Sequence, residues 1–123
     1  YYPETRKELM DIIENRINEC GNKVDLNNID VSKIIDMSYI FGNHFHDFEG
    51  DISEWDTSNV ESMAYMFQFS KFNGDISKWK VNKVYDMYAM FRDSEFARKG
   101  NKSTKQWNIN SKCDIDEMFL TNY

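Results

Sequence analysis

The sequence repeats itself with a period of about 24 to 28 residues from Asp25 to the C-terminus. Units of this size are too small to bury their own apolar side chains, so neighbouring units must stack on one another. The repeat therefore predicts a single domain built as a stack. Residues 1–24 form an N-terminal cap, and the units span about 25–50, 51–74, 75–106 and 107–123.

Apolar residues occupy the same columns in successive units. The chain is 41% hydrophobic and 15% aromatic, which is enough for one continuous core. The columns are Leu26, Ile52 and Ile76; Ile29, Trp55, Trp79 and Trp107; Val31, Thr57, Val81 and Ile109; Ile34, Val60 and Val84; Met37, Met63, Met87 and Ile115; and Phe41, Phe67, Phe91 and Phe119.

The spacing within a unit predicts a strand followed by a short helix. Ile76, Trp79, Val81 and Val84 follow the rhythm of a leucine-rich repeat, in which the middle alternation marks a strand that pairs in parallel with its neighbours. One or two helical turns on the convex side are then expected after a column of capping residues, Asp36, Ser62, Asp86 and Asp114. Gly50 and Gly74 are predicted to turn the chain back with positive φ.

The N-terminal segment reads as an amphipathic helix. Thr5 and Glu8 have the spacing of a capping box, and Gly21 supplies the stop. Its apolar stripe consists of Leu9, Ile12, Ile13, Ile17 and Cys20. Cys20 and Cys113 fall at opposite ends of the stack, so we expect two buried free thiols and no disulfide.

Three phrases resemble a known repeat family: FNGDISKW at 72–79, DTSNVESM at 56–63 and MAYMF at 63–67. They are similar to the roughly 26-residue repeat of the BspA-like leucine-rich repeat group, which includes bacterial surface proteins and mycoplasma-type lipoproteins. The resemblance implies an α/β repeat solenoid. We expect a short, right-handed, leucine-rich-repeat-like solenoid with a parallel β-sheet on its concave side and an N-terminal capping helix. The resemblance also implies surface display, adhesion and protein binding.

The formal net charge of −6 excludes a general affinity for nucleic-acid phosphates or anionic membranes. It favours a protein partner with a basic surface. No apolar run reaches the roughly 20 residues of a membrane span, and no signal-peptide pattern is present. The resemblance implies a cell-surface or secreted location, whereas the missing leader leaves an intracellular one open.

No motif for catalysis or for a cofactor stands outside the repeat, so the sequence predicts a protein that is not an enzyme. Asp25, Asp51 and Asp75 could suggest a calcium ladder, but each position has too few neighbouring carboxylates, and turn formation explains the three residues better. His44 and His46 lack a third metal ligand.

Two surfaces are candidates for binding. On a leucine-rich strand, the residues between the apolar columns face the concave side, which predicts a charged surface formed by Glu54, Asp56, Lys78, Lys80 and Asn82. The second candidate is a basic break in the repeat at 92–105. Phe72 and Trp79 are seven residues apart, whereas Phe96 and Trp107 are eleven apart. The cations predicted to bind there are Arg92, Arg98, Lys99 and Lys102.

These features predict a non-catalytic protein-binding module of a bacterial surface or adhesion protein. The alternative is a compact intracellular or phage-type inhibitor whose acidic surface blocks a basic, nucleic-acid-binding protein. Self-association through the C-terminal edge is a third expectation, because the last unit has no cap resembling the first helix.

Overall fold

The computed structural model describes residues 1–122, which contain two helices, α1 (Arg6–Cys20) and α2 (Glu95–Arg98). Helix α1 begins as predicted, because the Thr5 hydroxyl accepts a hydrogen bond from the Glu8 amide at 3.1 Å. It ends before Gly21, whose φ of 84° suits glycine. Leu9 and Ile13 of α1 are buried against the first unit, but Cys20 is exposed, contrary to the predicted stripe.

The predicted parallel sheet is wrong. Within residues 1–122 the units are joined by isolated parallel bridges rather than extended strands, and these bridges pair Asp25 with Asp51, Asp36 with Ser62, Ser62 with Asp86, and Asp86 with Asp114. The protein is therefore not an α/β solenoid of the leucine-rich type. It is a stack of irregular units made mostly of turns.

The segments predicted as strands are turns because aspartate side chains capture their amides. The Asp51 carboxylate accepts from the Ser53 amide at 2.9 Å, and the Trp55 amide then donates to Ile52 O. The same Asx-turn begins the first and third units, at Asp25 and Asp75. Amides used locally in this way cannot form a strand ladder. The interpretation of Asp25, Asp51 and Asp75 as turn formers is confirmed.

The segments predicted as helical turns carry the hydrogen bonds between units instead. We call residues 36–41, 62–69, 86–93 and 114–120 the ladder segments. In the second of them, alternate amides donate to the third unit: Met63 to Asp86 O (2.8 Å), Tyr65 to Tyr88 O (2.9 Å), Phe67 to Met90 O (2.8 Å) and Phe69 to Arg92 O (3.0 Å). The intervening amides bond locally: Ala64 donates to the Ser62 hydroxyl, and Met66 and Gln68 donate to the carbonyl three residues back.

A left-handed residue in each ladder segment prevents a helix there. Tyr39 (φ 64°), Tyr65 (φ 58°), Ala89 (φ 52°) and Glu117 (φ 57°) hold equivalent positions in this conformation, and Phe69 (φ 61°) and Asp93 (φ 55°) adopt it at the ends of the second and third segments. Such a backbone costs a non-glycine residue about 1–2 kcal/mol. The hydrogen bonds between units offset that cost, since they require alternate amides to point along the stack.

The predicted columns of tryptophan and phenylalanine are confirmed as stacks of rings. Phe41, Phe67, Phe91 and Phe119 lie at centroid separations of 5.4–5.5 Å. Trp55, Trp79 and Trp107 lie at 6.2–6.3 Å with nearly parallel planes. Each indole donates to a carbonyl of the preceding unit, namely Leu26 O, Ile52 O and Ile76 O. The columns therefore fix the register of the units.

Gly50 and Gly74 do not have the positive φ predicted for them. Glycine is needed at both positions because there is no room for a side chain. A Cβ atom on Gly50 would lie 1.8 Å from Val24 O, and one on Gly74 would lie 2.8 Å from the Phe72 ring.

The extra residues before Trp107 form α2 and a loop held against the third unit. Phe96 of α2 is buried and stacks on Phe91 at 4.1 Å. The Asn101 side chain donates to Asn73 Oδ1 and to Gly74 O. Phe96 continues the column of Phe48 and Phe72, so the insertion that follows it adds cations to the surface and no further ring to the core.

Replacement of Trp79 by Phe tests the indole hydrogen bonds. The Trp79 indole donates to Ile52 O at 3.0 Å, and Trp79 is only 3% exposed. Trp79→Phe keeps a ring in the column but removes the indole donor, so Ile52 O retains only the bond from the Trp55 amide at 3.3 Å. We expect the free energy of unfolding in urea to fall by about 0.5–1.5 kcal/mol for the lost hydrogen bond. The exposed Tyr85→Phe is the control, and an unchanged midpoint for Trp79→Phe would contradict the role of the indole.

Candidate functional site

The five residues of the predicted charged surface lie together, although turns rather than strands bring them there. Glu54, Asp56, Lys78 and Lys80 line one shallow depression, and Asn82 lies beside Lys80 in the next. All five are exposed. We call them the charged row.

The charged row satisfies much of its own charge. Lys78 Nζ lies 2.9 Å from Glu54 Oε1, and this hydrogen bond raises the Lys78 pKa. The Asp56 carboxylate accepts from the hydroxyl of Ser58 at 2.6 Å and from its amide at 3.1 Å, and these bonds lower the Asp56 pKa. A partner that binds this row must displace or share these contacts, which reduces the energy that the row offers.

The four predicted loop cations do not form one patch. Arg98 and Lys99 each lie 3.6 Å from the Glu95 carboxylate, and Lys102 is exposed farther along the loop. Arg92 belongs to another face, where its guanidinium lies 5.7 Å from the centre of the Tyr65 ring and 2.7 Å from Glu117 Oε1. The sequence grouped Arg92 with the loop because it is close in the chain.

The face that carries Arg92 is formed by residues of the ladder segments and those just before them, in the ranges 35–39, 61–65, 85–89 and 113–117. We call the exposed and half-buried side chains of these ranges, together with Arg92, the ladder face. Backbone bonds place Ile35, Glu61 and Tyr85 side by side, because the Glu61 amide donates to Ile35 O and the Tyr85 amide to Glu61 O. Ile35 is 55% exposed and Tyr85 is 58% exposed. Two large apolar side chains thus flank one carboxylate in open solvent.

A row of tyrosines crosses the same face. Tyr39 and Tyr65 stack at 4.6 Å, and Tyr65 meets the Tyr88 ring edge-on at 5.4 Å. The row ends in the fourth unit, where the Glu117 carboxylate accepts from the Tyr88 hydroxyl at 2.9 Å. Hydrogen bonds from Arg92 and then from Tyr88 lower the Glu117 pKa, so the acid stays ionised. The rings hold one another in fixed positions.

Sequence reasoning missed the ladder face because it assigned these columns to a convex helix. A signal was nevertheless present. Tyr39 and Tyr65 occupy equivalent positions of their units, and Tyr85 and Ile35 occupy a column that is not needed for the core.

The described residues hold no group of three or more histidine, cysteine, aspartate or glutamate side chains placed to bind a metal ion. His44 and His46 are exposed, and His46 lies 3.7 Å from Asp47.

Over residues 1–122, neither helix has both the length and the apolar character that crossing a bilayer demands. Cys20 and Cys113 are free thiols, and Cys113 is partly rather than fully buried.

Fold and surface together define a repeat protein in which stacked turn units present a rigid outer face. Residues 11–123 match the model of a family described as Mycoplasma protein of unknown function, DUF285, and the chain belongs to this family. No curated protein and no solved structure showed significant similarity to the chain.

The aspartate turns make a prediction about acid stability. The pKa values of Asp30, Asp51, Asp56 and Asp75 are lowered in the folded state, because hydrogen bonds from the serine two residues on favour each carboxylate. The unfolded chain therefore takes up protons first as the pH falls. The stabilisation is present at neutral pH and is lost as the pH drops through the ordinary aspartate value of 3.8 and on through the lower folded values.

Replacing these four aspartates with asparagine keeps the acceptor oxygen of each turn but removes the titration. We expect the unfolding free energy of this variant, measured in urea, to fall less steeply than that of the wild type between about pH 5 and pH 2. Asp11→Asn is the control, since the Asp11 carboxylate pairs with Lys7 rather than with an amide. Equal acid sensitivity of the fourfold variant and the wild type would contradict the assignment.

Proposed function

We propose that the chain is a non-catalytic protein-binding repeat module whose partner docks on the ladder face. The observation that carries the proposal is the exposure of Ile35 and Tyr85 on either side of Glu61. Exposed apolar side chains that lie close together on a surface and are accompanied by polar residues mark protein interaction sites.

The composition of the face supports the same proposal. Tyrosine and arginine are enriched at the energetically important centres of protein interfaces, and the face offers Tyr39, Tyr65, Tyr88 and Arg92. Stacking already restricts the rings, so binding sacrifices little side-chain freedom. Tyr39 and Tyr65 each cover one flat face of the other.

The charged row and the cations Arg98, Lys99 and Lys102 have a secondary role in this proposal. Glu54 pairs with Lys78, and Glu95 lies near both Arg98 and Lys99. Paired charges of this kind adjust the approach and orientation of a partner more than they add affinity. We therefore assign these residues to the polar surroundings of the interface.

We further propose that the module works in a bacterial surface or adhesion protein. The support for this setting is the resemblance to the BspA-like repeat, together with membership of a Mycoplasma family. An intracellular inhibitor of a basic protein is the second candidate. It is favoured by the net charge of −6 and by aspartates that hydrogen bonds keep ionised.

A comparative capture experiment tests the ladder face. The immobilised wild type is compared with the double variant Ile35→Ser and Tyr85→Ser, and with a charged-row variant, Lys78→Ala and Lys80→Ala. We expect the ladder-face variant to retain its partners at least about tenfold less than the wild type does. The charged-row variant should retain them nearly as well as the wild type. Quantitative mass spectrometry of the retained proteins provides the measurement, and far-UV circular dichroism confirms that each variant is folded.

The opposite result, with retention lost in the charged-row variant and kept in the ladder-face variant, would overturn the assignment. A repeat at about 0.5 M salt separates the two candidate functions, because binding of a basic target through net charge weakens steeply with salt, whereas an apolar interface does not.

A further inference from the structure

Three exposed side chains of the ladder face occupy equivalent positions in the first three units. They are Ile35, Glu61 and Tyr85, which we call the triplet. The Glu61 amide donates to Ile35 O at 2.7 Å, and the Tyr85 amide donates to Glu61 O at 2.9 Å. Backbones joined in this way lie about 4.8 Å apart, so the two outer residues of the triplet are separated by about 10 Å. A single partner segment can therefore cover all three side chains.

The Glu61 carboxylate makes no hydrogen bond and no ion pair within residues 1–122. The lysines that precede the triplet in the chain contact other groups. Lys33 Nζ lies 3.5 Å from Glu4 Oε1, and Lys83 Nζ donates to Asn59 Oδ1 at 3.1 Å. Over the described residues, the charge of Glu61 thus has no paired cation.

The carboxylates of the next column are used differently. Asp36, Asp86 and Asp114 each accept a hydrogen bond from the amide two residues on, at 2.8–3.0 Å. These bonds close local turns and occupy part of each carboxylate. The acceptor positions of Glu61, by contrast, are open to a partner as far as the described part of the chain is concerned.

A partner that covers the triplet removes water from Glu61, because this residue lies between the two apolar side chains. An ionised carboxylate that loses its water and gains no donor opposes binding strongly. A purely apolar partner therefore cannot use Ile35 and Tyr85 together without burying an unpaired charge. A partner with a cation at this point covers all three side chains and avoids the penalty.

We propose that the partner of the ladder face presents an arginine, flanked by apolar side chains, whose guanidinium pairs with Glu61. This inference rests on the proposed function and specifies the chemistry of the partner. A guanidinium binds both oxygens of a carboxylate and stacks on a neighbouring aromatic ring, here Tyr85, which an ammonium group does less well. Because apolar side chains shield it on both sides, this single ion pair is screened by salt less than exposed charges are.

A second copy of the chain is a poor occupant of the triplet. Homodimers form most often around a two-fold axis, and an axis through the triplet brings Glu61 of one copy against Glu61 of the other. Two carboxylates at the centre of an apolar contact repel each other, and neither supplies a donor. The charge of Glu61 therefore favours a different polypeptide.

Selection of random peptides displayed on phage tests this partner chemistry. The library is selected on the immobilised wild type and depleted of peptides that also bind the double variant Ile35→Ser and Tyr85→Ser. We expect the wild-type pool to be enriched in arginine flanked by apolar residues. The pool selected on Glu61→Gln should lack that enrichment, and the pool selected on Glu61→Lys should carry acidic residues in place of arginine.

One selected peptide then measures the pair itself. Replacing its arginine with citrulline, the neutral isostere, should weaken binding to the wild type about tenfold or more and binding to Glu61→Gln less than about twofold. Glu49→Gln is the matched control, since Glu49 is exposed, lies outside the ladder face and has no ion pair within residues 1–122. This variant should keep the full effect of citrulline, and far-UV circular dichroism confirms that each variant is folded.

The proposal is overturned if the peptides that depend on Ile35 and Tyr85 carry no arginine, or if citrulline weakens binding to Glu61→Gln as much as binding to the wild type. The proposed function survives either of these results. If no peptide depends on the two apolar side chains, both proposals fail. Sedimentation velocity that shows a dimer abolished by the double variant would also overturn the inference, since the triplet would then serve a second copy.

Discussion

The ladder of backbone hydrogen bonds between successive units is the interaction on which the other features of this protein depend. It is formed by alternate amides, such as those of Met63, Tyr65 and Phe67, and the amides between them close local turns. This division of the backbone satisfies both sets of donors without a sheet or a long helix.

The ladder and the aromatic columns support each other. Rings in the Phe and Trp columns stack from one unit to the next, so each unit both continues a stack of rings and forms backbone hydrogen bonds with its neighbour. The core thereby fills one side of each ladder segment. On the other side, the exposed Ile35 and Tyr85 and the half-buried Tyr39 and Tyr65 belong to the ladder face.

The sequence predicted the core columns, the start of α1 and the turn-forming role of the aspartates, because these depend on local spacing and side-chain chemistry. It assigned strands and helices to the wrong segments. The spacing of apolar residues around Trp79 fits a strand and also fits two consecutive turns. Which of them forms depends on whether the backbone amides donate to the Asp75 carboxylate or to a neighbouring unit. The sequence also predicted the residues of the charged row. It placed Arg92 with the loop cations, because proximity in the chain does not show that Arg92 contacts Tyr65 and Glu117.

By itself, the sequence determined that the chain is a repeat whose tryptophans and phenylalanines stack, whose first helix is a cap and whose net charge is negative. These properties follow from residue type and period. Only the tertiary structure decided which amides join the units and which face exposes Ile35 and Tyr85. Those outcomes depend on left-handed residues such as Tyr39 and Tyr65, whose conformation is imposed by neighbouring units and is not encoded by the residue type.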